Sequence, residues 1–246
     1  MNNGWQSMKQ PASLAVNVIH VWRASLAADE KQCAGFRPIL SANEGKRAAD
    51  FKFETDRRHF VIAHGVLRHL LAAYLGARPE TLVLVPDSRG KPRLAGQAGD
   101  SIRFNLSRSG EMALCAFAYG REVGVDVEKI AREVDELAIA RRMFTQSEAH
   151  RLEMLRGEER TAAFFNSWTR LEALAKASGR GLGSISQGKV SLPQKIDDAS
   201  KVEVKGDSGH QPVWQIVSLQ PGLGYAGAVA AEGTGWSIQC LDWSYA

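Results

Sequence analysis

Only three cysteines occur in the 246-residue chain, Cys33, Cys115 and Cys240, widely spaced and without a CxxC pair. An odd, scattered set of this kind supports neither a disulfide framework nor a zinc site, so all three read as reduced, buried thiols. No apolar run approaches the roughly 20 residues that a membrane-spanning helix requires, and no membrane partner is expected. The start, MNNGWQSMKQ, has no basic stretch followed by an apolar one, so no signal peptide is expected and the expected location is cytoplasmic. HExxH, a Walker A loop and GxGxxG are also missing. The GRGLG of Gly179 to Gly183 matches none of them and reads as a helix stop. Basic and aromatic residues do not cluster in a nucleic-acid-binding arrangement, so no nucleic-acid partner is expected.

What is present is an ordinary globular composition, 44% hydrophobic and 24% charged, with a net charge of +4. A mild basic excess favours an anionic partner without selecting one. LAVNVIHVW, residues 14–22, is rich in β-branched residues and predicts a strand. SANEGKRAADFKF, residues 41–53, predicts a short basic helix or helical turn. A long helix is expected from about Thr55 to Leu75, ended by Gly76. Strands are expected at Leu82–Pro86, in IRFNLS and MALCAFA, and in GVDVE. Thr145 with Glu148 is a capping-box pattern for a helix to about Leu155. A second long helix is expected from about Arg160 to Ser178, and then strands at Val202–Lys205, Val213–Leu219, Tyr225–Ala231 and Trp236–Trp243. The expected class is α+β in two similar halves, each a long helix on a small, mostly antiparallel sheet. The expected division is 1–128 and 129–246, with no detectable sequence repeat between the halves.

In GVDVEKI, residues 124–130, Asp126 and Glu128 flank one valine. Alternation along a strand puts both anions on one face, outward if Val125 and Val127 point inward. Alone, that is the pattern of a solvated edge strand. In the second long helix Glu172 and Lys176 lie about 40° and 80° from Trp168, at the edge of a stripe formed with Phe164, Leu171 and Ala175. Alone, they are an i,i+4 surface pair. Taken together, Asp126, Glu128 and Glu172 make an all-oxygen set suited to a hard cation, magnesium rather than zinc. Lys176 lies one turn on, within reach of a phosphate oxygen. Further upstream, GKP sets Lys91 in a tight turn, and FNLSRSG ends a strand with Ser107, Arg108 and Ser109. Together these groups offer a phosphomonoester site, and singly each reads as a solvated turn. The six histidines share no common face and read as surface or packing residues.

These pieces, in this order, resemble the surfactin-synthetase-type 4′-phosphopantetheinyl transferases, the large monomeric class. FNLSRSG, GVDVEKI, FTQSEAHRL and WTRLEALAKASGRGL carry the resemblance, with LSANEGKRAADFKFETDRRHF and GKPRL upstream, over residues 37–185. The resemblance implies two α+β subdomains in a pseudo-twofold arrangement, the first on the side of the coenzyme's 3′-phosphate and the second facing the carrier. It implies transfer of the 4′-phosphopantetheine arm of coenzyme A to a serine of an apo acyl or peptidyl carrier protein, giving 3′,5′-ADP. By it Asp126, Glu128 and Glu172 are the Mg2+ ligands, and Lys176 lies near the coenzyme's phosphates. Arg47, Lys91, Ser107 and Arg108 lie at its 3′-phosphate. Glu172 or a metal-bound water is the base.

Two positions depart from the family pattern: Arg108 stands where histidine is usual, and Leu171 where lysine precedes the glutamate. A guanidinium keeps its charge, so binding is expected to survive with less pH dependence. Leu171 is expected to change packing alone. Residues 130–165 are the expected carrier-docking surface, with Met143, Phe144 and Leu155 open to either core or contact. Two alternatives stand beside the transferase: a magnesium-dependent phosphohydrolase, and a non-catalytic relative that binds coenzyme A or a carrier.

Overall fold

Two helices of 22 residues, Glu54–Leu75 and Gly157–Ser178, each closed by a glycine in the left-handed conformation, organise the molecule. The computed structural model describes residues 4–8, 11–96, 101–131, 134–187, 200–203 and 212–245. It divides into two compact units, residues 4–120 with 237–246, and residues 121–236. Among the described residues no helix is long and apolar enough to cross a membrane.

In the first unit, strands β1 (Gln6–Ser7) and β2 (Val18–Ser25) precede helices α1 (Glu30–Phe36), α2 (Ala42–Ala49) and α3 (Glu54–Leu75). A short hairpin follows, β3 (Leu84–Pro86) with β4 (Pro92–Leu94), and then the longer strands β5 (Ile102–Ser109) and β6 (Met112–Tyr119). Helix α2 starts at a complete capping box, Ser41 with Glu44, which is why the basic stretch becomes a defined helix rather than a turn. Trp22, Phe60, Ile62, Leu67, Leu70, Leu71, Phe104 and Phe117 fill the core. Cys33, Cys115 and Cys240 are buried thiols, none of them in a disulfide.

The second unit opens with β7 (Val123–Lys129), followed by α4 (Glu136–Met143), α5 (Gln146–Met154), α6 (Gly157–Ser178) and α7 (Leu182–Gln187). It continues with β8 (Ser200–Glu203), β9 (Val213–Leu219) and β10 (Tyr225–Glu232). Strands β7, β10, β9 and β8 form one antiparallel sheet in that order. Of the strand expected at Val202–Lys205, the last two residues lie outside the described residues.

The final strand, β11 (Ser237–Asp242), belongs to the first unit, not the second. It runs parallel to β2, placing Asp242 opposite Arg23, and the two side chains form a bidentate ion pair. The first sheet is therefore mixed, in the order β1-β11-β2-β6-β5. The units change over after Gly120, eight residues before the division expected after Glu128, because β7 pairs with β10 rather than with β5 or β6.

Candidate active site

The second unit gathers the carboxylates of the GVDVE strand beneath helix α6. Gly124, Asp126 and Glu128 share one face of β7, and their partners across β10 are Ala230, Ala228 and Ala226. These small residues let the helix backbone approach closely. A Cβ added at Gly124 would lie 2.3 Å from both the Ala173 carbonyl oxygen and the Ala177 nitrogen. The solvated edge that the strand pattern taken alone suggests is not what forms, because the helix covers that face. Asp126 is 2% exposed, and only Glu128 at the strand end is half-buried.

Lys176 meets the buried anion. Its Nζ donates to Asp126 Oδ1 at 2.6 Å, so the lysine reaches the strand and is not spent on a surface pair with Glu172 alone. Glu172 is half-buried on the same side of α6. Burial pushes its carboxyl above the ordinary range; the Lys176 ammonium opposes this, and the charges of Asp126 and Glu128 add to it. The three predicted carboxylates and the lysine therefore sense one another's charge. Among the described residues no three His, Cys, Asp or Glu side chains already stand in coordinating positions. The set is all oxygen, mutually repelling and partly neutralised by one ammonium, which is the chemistry a hard divalent cation suits.

The first unit holds a second cluster around a cavity of about 690 Å³. Its wall includes Arg47, Phe60, His64, Val83, Val85, Pro86, Gly90, Pro92, Asn105 and Arg108. Of the residues expected at a phosphate, Arg47 and Arg108 line it directly. Lys91, 9% exposed, sits between the lining residues Gly90 and Pro92, and Ser107, 7% exposed, sits between Leu106 and Arg108, but neither is part of the wall. The turn bearing Lys91 is built by Asp87, whose Oδ1 accepts the backbone N–H groups of Arg89 and Lys91, both at 2.9 Å. Arg108 has its pKa lowered by burial, with Asp56 opposing and Arg47 adding to the shift.

Sequence reasoning missed the bracing behind this cavity. Glu44 Oε2 accepts from the Ser41 backbone and hydroxyl, both at 2.8 Å, and from Arg68 Nε at 2.8 Å, while Oε1 lies 2.9 Å from His64 Nδ1. Arg68, 1% exposed, also donates to the carbonyls of Pro79 and Leu82, at 3.0 and 3.1 Å. Burial would raise the Glu44 pKa, but these hydrogen bonds outweigh it and bring the carboxyl down to about 2. His64, read as a surface or packing residue, is one member of this network. The pattern SANE together with His64 and Arg68 spaced four apart on α3 was the available signal. In the second unit Phe144 is core, and Met143 and Leu155 pack against it.

Comparison with known proteins gives a consistent picture across both units. Residues 122–230 match the family model for the 4′-phosphopantetheinyl transferase superfamily, and residues 22–119 match the model for the N-terminal part of a 4′-phosphopantetheinyl transferase. The 4′-phosphopantetheinyl transferase HetI of a Nostoc species is 33% identical over 250 residues, with all of both chains covered. The 4′-phosphopantetheinyl transferase psf-1 of Bacillus pumilus is 30% identical, covering 78% of this chain and 79% of its own. Sfp of Bacillus subtilis, also a 4′-phosphopantetheinyl transferase, is 24% identical over 80% of this chain and 84% of its own.

Proposed function

The chain belongs to the 4′-phosphopantetheinyl transferase family and is a transferase of the phosphopantetheine arm to carrier proteins, and from that premise we propose that its donor is coenzyme A, its metal Mg2+, and its class the surfactin-synthetase type, working as a cytoplasmic monomer. The cavity of the first unit takes the 3′-phosphorylated nucleotide end of the coenzyme. Arg47 and Arg108 bind the 3′-phosphate, with Lys91 and Ser107 beside them, through charge-assisted hydrogen bonds. In the second unit Asp126, Glu128 and Glu172 would hold Mg2+, which when bound would supply positive charge to the pyrophosphate.

The serine oxygen of the apo carrier attacks the phosphorus that bears the pantetheine arm. The bond from that phosphorus to 3′,5′-ADP breaks, and the arm stays on the serine as a phosphodiester. Glu172 takes the serine proton. It is the carboxylate left half-exposed on α6, whereas Asp126 is 2% exposed and held by Lys176. Lys176 then stabilises the charge on the departing ADP, and positioning with electrostatics supplies most of the rate. The carrier docks on residues 130–165, where Arg141, Arg142 and His150 are exposed and suit an acidic partner helix.

The observation that supports this reading most is the contact of Lys176 with Asp126, which ties the α6 pair to the β7 pair. The test incubates the protein with coenzyme A, Mg2+ and apo carriers from fatty-acid, polyketide and peptide systems, read by intact mass. Carriers should gain one phosphopantetheine arm each. No gain on any carrier would sink the proposal, and release of free phosphopantetheine without a carrier would point to a phosphohydrolase.

A further inference from the structure

We propose that Phe60 is a positioning residue whose ring is the shared base holding the guanidiniums of Arg47 and Arg108 at one phosphate site. Its role rests on the cavity being the nucleotide end of the coenzyme site. The Arg47 guanidinium carbon stands 5.4 Å from the centroid of the Phe60 ring, and that of Arg108 stands 6.0 Å from the same ring and 5.4 Å from Phe51. The two rings are themselves in contact, with centroids 5.4 Å apart.

Among the described residues neither Arg47 nor Arg108 makes an ion pair. Two like charges near each other repel; the Asp56 charge offsets part of this at Arg108, and the ring faces offset more, because the negative quadrupole of an aromatic face attracts a guanidinium. A cation held by a ring rather than by a carboxylate keeps its N–H groups available for a bidentate anion. An aliphatic side chain of similar volume would fill the space and give none of this.

The base is itself braced. Phe60 is 1% exposed, and the His64 ring stacks against it at 4.0 Å between centroids with 26° between planes. His64 in turn is held by Glu44, 2.9 Å away. The order of support therefore runs from Glu44 through His64 and Phe60 to the two cations. A pair of cations fixed this way, with no ion-paired carboxylate between them, selects a doubly charged phosphomonoester over an uncharged hydroxyl at the same place.

The test measures KM and kcat for coenzyme A and for 3′-dephospho-coenzyme A, with a saturating apo carrier, in the wild type and in Phe60→Leu. The wild type should have the lower KM for coenzyme A. Phe60→Leu should raise that KM about tenfold, the scale of losing two cation–ring contacts, with kcat and the KM for the dephospho compound near wild type. Equal rises for both donors, or no rise for either, would make Phe60 a packing residue and overturn the inference. A wild type that does not distinguish the two donors would instead overturn the coenzyme-site reading underneath, which keeps the two failures apart. If Phe60→Leu does not fold, Phe51→Leu replaces it. That ring is half-buried under Arg108, and a rise of about threefold confined to coenzyme A is expected, whereas no selective rise would overturn the inference.

Discussion

The ammonium of Lys176 on helix α6 lies 2.6 Å from Oδ1 of Asp126 on strand β7, and Asp126 is 2% exposed. A carboxylate at that depth is costly unless a positive group compensates it, and removing one partner of such a pair leaves the other charged and buried. Lys176→Met should therefore lower stability by about 2–4 kcal/mol in urea denaturation. Added MgCl2 should recover part of that loss, because the cation supplies the missing charge to the same carboxylates. A variant as stable as the wild type, or one whose midpoint ignores Mg2+, would show that Asp126 is compensated elsewhere.

Glu44 predicts an acid-sensitive component of stability in the first unit. Its folded pKa of about 2 is below the ordinary 4.5, so its contribution is complete above pH 4.5 and is lost as the pH falls from there towards 2. Denaturation midpoints measured across that range should fall for the wild type, and Glu44→Gln should lack this component. At neutral pH Glu44→Gln should cost about 2–4 kcal/mol, because Arg68 keeps its buried charge without an anion. Parallel pH profiles for the two proteins would remove Glu44 from this role.

Gly124 sets the spacing between β7 and α6. A methyl group there would meet backbone atoms of Ala173 and Ala177 at 2.3 Å, and backbone has no rotamer by which to give way. Gly124→Ala should destabilise by about 1–3 kcal/mol and slow transfer by moving Lys176 and Glu172 off Asp126. Wild-type stability in this variant would mean that the strand and helix accommodate the methyl freely.

Arg108 predicts capture of the donor with no pH step of its own. A guanidinium stays protonated throughout the neutral range, even with its pKa lowered by burial and by Arg47. In the wild type the KM for coenzyme A should fall through about pH 6, where the phosphomonoester takes its second charge, and stay flat above that. Arg108→His should make KM rise instead as the pH climbs past about 6.5 and the imidazole loses its charge. A variant with the wild-type profile would take residue 108 out of the phosphate site.

The long helices were legible because leucine spacing and the terminal glycines Gly76 and Gly179 are local signals. So were Glu172 and Lys176, at the edge of the α6 stripe. The return of β11 to the first unit was not legible, since its partner β2 lies more than two hundred residues earlier and nothing local encodes the pairing. The burial of Asp126 escaped for a different reason. Alternation along β7 assigns a face but not what covers it, and the cover depends on Gly124, Ala226, Ala228 and Ala230 being small enough to admit the α6 backbone. Phe60 and Glu44 were hidden for the same kind of reason: their meaning lies in how α2 and α3 meet.

The most direct measurement is the transfer rate of Asp126→Asn at saturating coenzyme A and apo carrier, with Mg2+ titrated and coenzyme A binding measured separately by calorimetry. Asparagine keeps the shape of the side chain and an oxygen facing Lys176 while removing the charge. The rate should be at least about a hundredfold lower at any Mg2+ concentration, with nucleotide-end binding of coenzyme A retained. Transfer near the wild-type rate with an unchanged Mg2+ requirement would contradict the assignment of Asp126, and with it the carboxylate site.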